Sequence, residues 1–147
     1  MSVRQAAATL FLVGLVVLTL PGCGPGSGGL AVVKGKISYK GKPLPYGTVN
    51  FLPSDGNKPM ASGEIQSDGS YELKTFVSNK PSNGAVVGQH KVVIVAIQDQ
   101  ATLLPEQRSP LSEPIVPAKY TSPATSDLSA NVEDKENKID FDLQDGK

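Results

Sequence analysis

Apolar and polar residues alternate along most of the chain after residue 30. In "VVKGKISY", Val33, Ile37 and Tyr39 share one face with Gly35, while Lys34, Lys36 and Ser38 take the other. A repeat of two marks a half-buried strand, because successive side chains leave a pleated backbone on opposite sides. The same reading puts Val49 and Phe51 inward in "TVNFL", and Ile65, Tyr71 and Leu73 inward in "ASGEIQ" and "SYELKTF". Asp68-Gly69 lies between those two runs and predicts a hairpin. "HKVVIVAI", residues 90–97, is apolar on both faces and predicts the most buried, central strand. Two strands close the pattern, with "DKEN" turning between them. Leu128, Ala130 and Val132 point inward in one, and Ile139, Phe141 and Leu143 in the other.

The connections read as "YKGKPLPYG", "PSDGNKP" and "NKPSNGAVVG", all rich in turn formers. Residues 99–126 are a longer excursion, rich in Pro and Ser, with little regular structure expected. A two-layer sandwich covers only one face of each sheet. Val93, Val95 and Ile97 therefore need a second cover. Either Leu103, Leu104, Leu111, Ile115 and Val116 fold back over them, or that face stays open as a docking patch for a partner. About seven short strands and no amphipathic helix after residue 30 predict an all-β fold: an antiparallel Greek-key β-sandwich.

The N-terminus has a different pattern. Arg4 precedes "AAATLFLVGLVVLTL", residues 6–20, which carries no charge. A basic head and a short apolar run describe a secretory signal, and the run is shorter than the ~20 residues that span a bilayer. It ends at Leu20-Pro21-Gly22-Cys23, which holds the chain's only cysteine. These four residues resemble the lipobox of bacterial lipoproteins, with Pro21 where that family carries a small or hydroxyl residue. The resemblance implies cleavage before Cys23 and attachment of lipid to its thiol. Residues 1–22 are then the signal, 23–30 a lipidated Cys with a Gly/Pro/Ser tether, and 31–147 the domain. Two or three acyl chains give stable anchoring, at about 0.8 kcal/mol per buried methylene. The expected location is outside the cytoplasm on a membrane, the outer membrane or periplasmic face being favoured.

Composition narrows the function. The 147 residues carry 14 basic and 14 acidic side chains, which argues against a dedicated nucleic-acid binder. One cysteine forbids an internal disulfide, so stability must come from burial. One histidine, His90, expected as an ordinary surface or edge residue, leaves the usual triads and His/Cys zinc sites unbuilt. No catalytic residue, metal or cofactor is assigned. Asp55 and Asp68 sit in "SDGN" and "SDGS", where Asp and Gly serve the turn itself rather than calcium. Asp140 and Asp142 share a solvent face. Lys34, Lys36, Lys40 and Lys42 are candidate contacts for an anionic surface, against the simpler reading that they protect an edge strand.

A second resemblance covers residues 31–97. Gly35, Gly41 to Leu44, Gly47, Val49 and Phe51, then Asp68, Gly69, Tyr71 and Leu73, then Gly88 into Val92 and Ile94, are similar to the carboxypeptidase regulatory-like family. That resemblance implies a transthyretin-like sandwich and an accessory role rather than an activity. The expected function is a non-catalytic binding or scaffolding module with another envelope protein as partner. A carbohydrate-binding module is the alternative, disfavoured by the absence of Trp, and an unrecognised hydrolase comes last.

Overall fold

In the computed structural model, which describes residues 29–97 and 114–145, the alternating segments become strands. In chain order they are β1 (Leu30–Ala31), β2 (Val33–Tyr39), β3 (Lys42–Pro43), β4 (Thr48–Pro53), β5 (Ala61–Glu64), β6 (Ser70–Glu72) and β7 (Lys74–Val77). Then come β8 (Lys80–Asn83), β9 (Ala85–Val86), β10 (Gly88–Val95), a 3-10 turn (Ala118–Thr121), β11 (Ser129–Val132), β12 (Asn137–Lys138) and β13 (Phe141–Leu143). The signal, Cys23 and most of the tether lie outside the described residues, as do Leu103, Leu104 and Leu111.

One sheet has six strands in the order β11-β10-β4-β5-β7-β8, every neighbour antiparallel. The second is built on β2. Short β6 and β3 line one side of it, and β12 and β13 line the other. Phe51 of the first sheet meets Tyr71 and Phe141 of the second, with ring centroids 6.3 and 6.1 Å apart. The core between the sheets takes Val33, Ile37, Val49, Phe51, Leu73, Val92, Ile94, Val132 and Leu143, all buried. The result is sandwich-like and all-β, as the alternation predicts.

Several expectations change. There are more and shorter strands than seven, because β2 is matched on each flank by two pieces of chain rather than one. β12 and β13 run parallel to β2, so the second sheet is mixed rather than antiparallel. The "DKEN" segment carries the chain from one sheet to the other and does not close a hairpin. β2 has partners on both sides, so edge protection is not what Lys34 and Lys36 do. Asp68-Gly69 does turn the chain: the Gly69 N–H donates to the Gln66 carbonyl, and the Gln66 N–H to Ser70. The flanking runs, however, join different sheets. β6 pairs with β2, Leu73 crosses over, and β7 pairs with β5.

"NKPSNG" is not a plain loop. Ser78 and Asn79 both have positive φ, 51° and 62°, and close a β7–β8 hairpin. Two left-handed residues give the turn whose twist matches the strands. In the excursion, Ile115 donates its N–H to the Ala96 carbonyl, and the Tyr120 hydroxyl donates to the Gln144 carbonyl at 3.0 Å. Val116 and Tyr120 are buried with the core, so residues 114–121 tie β10 to the chain after β13. Val93 is buried and Val95 half-buried, while Ile97 is exposed.

Candidate functional site

Lys34 and Lys36 project from β2 into a groove of about 760 Å³ that opens where the two sheets part at β5 and β6. Ser62, Gly63, Glu64 and Lys74 form the wall from the first sheet. Ser70 to Glu72 and Glu136 to Lys138 form the wall from the second. Chain crossing at Leu73 makes this recess, since β6 and β7 leave for different sheets on either side of it. Glycine lets the strands close up beneath it. A Cβ at Gly35 would stand 1.7 Å from the Ile139 carbonyl oxygen, so no other residue fits there.

Charged side chains of both signs line the groove, and their aliphatic stems form much of its wall. Lys34 approaches Glu136 at 3.6 Å and Lys36 approaches Asp68 at 3.3 Å, both pairs exposed. Such pairs contribute about 0–1 kcal/mol, so they hold side chains in place more than they hold the fold. Lysines alternating with carboxylates select neither a bare anion nor a bare cation. They suit a ligand that offers donors and acceptors side by side, such as a peptide or a polar surface segment.

The titratable groups nearby have structural partners. Asp68 accepts the Ser70 hydroxyl at 2.6 Å and the Ser70 N–H at 3.0 Å. Those bonds, with Lys36 beyond them, hold its carboxyl down to about 2. Asp55 likewise accepts the Asn57 N–H at 3.2 Å. Both aspartates therefore serve their own turns. Asp140 and Asp142 are exposed and not idle: Asp140 accepts the Lys36 N–H at 2.7 Å, and Asp142 accepts the Ser38 hydroxyl at 2.8 Å. Among the described residues, no group of three His, Cys, Asp or Glu side chains is placed to hold a metal ion.

Tyr71, which alternation placed in the core, also carries a polar role that alternation does not reveal. Its hydroxyl donates to the Ile139 carbonyl at 2.6 Å. Burial, helped by the charge of Asp140, pushes the phenol well above the ordinary tyrosine range, so it stays protonated. His90 overturns the expectation of a surface residue. It is 2 % exposed, 5.8 Å from the Phe51 ring, with Nδ1 3.0 Å from the Gly88 carbonyl. If Nδ1 donates, Nε2 is left as an acceptor, and it has no partner. Burial pushes its pKa down and keeps it neutral. The signal was available, since His90 shares its alternate face with Val92 and Ile94.

The four lysines singled out from sequence do not converge. Lys34 and Lys36 line the groove. Lys40 lies at the other end of β2, 3.0 Å from Asp145, and Lys42 lies on exposed β3. At about 3.3 Å per residue, Lys34 and Lys40 stand roughly 20 Å apart. Among the described residues no helix is long and apolar enough to cross a membrane.

No protein-family model, curated protein or solved structure matches this chain.

Proposed function

We propose that this chain is a non-catalytic, lipid-anchored envelope protein whose β-domain is a binding or scaffolding module. Its fold is read as a transthyretin-like Greek-key sandwich of the carboxypeptidase regulatory-like kind. The observation that carries the binding role is the groove beside β2, with walls from both sheets and charges of both signs. The side chains that could do chemistry are engaged elsewhere: His90 in the core, Tyr71 on Ile139, Asp68 and Asp55 on their own turns. The partner that fits is another envelope protein presenting a polar segment, bound by hydrogen bonds and short ion pairs.

The anchor and the groove are tested separately. Metabolic labelling with a fatty acid should mark the wild-type chain and not Cys23→Ser; equal label on both overturns the anchor. Affinity capture from solubilised envelope should recover a protein that Lys34→Glu with Lys74→Glu no longer holds. Full retention of every captured protein by that folded variant overturns the groove as the binding site.

A further inference from the structure

Among the described residues, four large apolar side chains are strongly exposed: Met60 at 49 %, Phe76 at 62 %, Val77 at 44 % and Ile97 at 45 %. The first three stand at one end of the six-stranded sheet. Ala61 pairs with Thr75, so one further residue of the same register brings Met60 level with Phe76. Phe76 in turn pairs with Pro81. Across the sheet this end carries Pro53 opposite His90, and then Gly88, where β10 begins. The preceding Val87 donates its N–H to the Gly29 carbonyl at 2.9 Å. The chain leading from Cys23 therefore enters the fold at the end that bears the apolar lip. Ile97 follows β10 at the opposite end.

We propose that this lip is the surface the domain sets against the lipid bilayer, with Met60, Phe76 and Val77 in the interfacial layer. The inference rests on reading Cys23 as the lipid attachment site. Five residues lie between Cys23 and Gly29, and the six steps fully extended reach about 20 Å. An anchor that short keeps this end at the headgroups. Aromatic and cationic side chains favour that layer, and anionic lipids attract lysine. The β7–β8 hairpin carries Lys74 and Lys80 and no acid, while the neighbouring turn carries Lys58 with Asp55. Glu133, Asp134 and Glu136, with Lys135, follow β11 on the other flank. The domain therefore leans onto its β7–β8 side and lifts the acidic turn. Lys40 and Lys42, beyond the far end of β2, face away from the membrane.

The test uses lipidated full-length protein in nanodiscs of phosphatidylethanolamine and phosphatidylglycerol with a headgroup spin label, observed by NMR. Fatty-acid attachment is first established by mass spectrometry. Loss of amide signal at Met60, Phe76, Val77 and Lys80, with Ile97 and Lys40 spared, is the expected result. Lipid on Cys23 with no signal loss at the lip, or loss spread evenly over both ends, overturns the proposal and leaves the anchor standing. Absence of lipid on Cys23 overturns the anchor itself. Spared lip signals together with cross-links between Phe76→Cys copies would mean that a second copy of the chain covers the lip, and would also overturn the proposal.

Discussion

The backbone N–H of Lys36 donates to the carboxylate of Asp140 at 2.7 Å, a side chain standing in for the ladder carbonyl that β2 would otherwise meet. Just before it, the Ile139 N–H reaches the Lys34 carbonyl, and the Ile139 carbonyl turns away to the Tyr71 hydroxyl. The step between β12 and β13 is thus held on one side by a phenol and on the other by a carboxylate.

Tyr71→Phe keeps the ring in the core and leaves the Ile139 carbonyl without its donor. A buried acceptor left unmade costs about 1–3 kcal/mol. Urea denaturation should show a loss in that range, with the slope unchanged. No loss would mean that water takes over the carbonyl and that the phenol is not what holds the step.

Gly35→Ala tests the same corner from below. The new methyl would meet the Ile139 carbonyl at 1.7 Å, and backbone cannot yield as a flexible side chain can. The variant should be strongly destabilised, by several kcal/mol as for other severe overpacking. A thermal transition like that of the wild type would show that β12 and β13 do not pass where the structure places them.

His90 sets a pH dependence whose sign follows from its lowered pKa. The unfolded chain takes up a proton near pH 6.5 and the folded chain does so only lower, so the unfolded state binds more protons in between. Stability from this group is complete above about pH 6.5 and falls as pH drops from there toward the folded value. Stability measured by urea across this window should show that fall in the wild type. The difference should be absent in His90→Phe, provided that variant folds. Parallel pH curves for the two would mean that the imidazole is not sealed in the core.

Asp68 acts in a lower window. With its carboxyl held at about 2 against 3.8 ordinarily, its contribution is complete above 3.8 and is lost as pH falls toward 2. NMR titration of the carboxyl should find the low value in the wild type and a rise toward 3.8 in Ser70→Ala. An unchanged titration in that variant would move the cause from the Ser70 hydroxyl to the Ser70 N–H and Lys36.

Alternation alone placed Val33 and Ile37, Val49 and Phe51, Val92 and Ile94, and Phe141 and Leu143 inward, because burial on one face of a strand leaves a period of two in the sequence. Pairing left no such trace. Asp68-Gly69 announces a reversal, yet a turn fixes only its own few residues. Whether β6 and β7 stay in one sheet depends on where Leu73 is buried. The parallel match of Phe141 with Ile37 spans most of the domain and has no local signature. Strand β8 lies inside "NKPSNGAVVG", which reads as a connection because Pro81 masks it; Pro81 sits on this edge strand, where its missing N–H faces no partner. The groove was invisible for the same reason as the pairings, since its walls meet only once the chain has crossed between sheets.

The parallel match of β2 with β13 also has a mechanical consequence. Tension between an anchor before Gly29 and a load attached after Asp145 would draw β2 by its beginning and β13 by its end. In parallel strands these two points lie at opposite ends of the pair. The strands would be sheared along their length, and the bonds between them would have to fail together instead of opening in turn like a zipper. A pull applied after Asp145 against a hold before Gly29 would meet that shear clamp between β2 and β13.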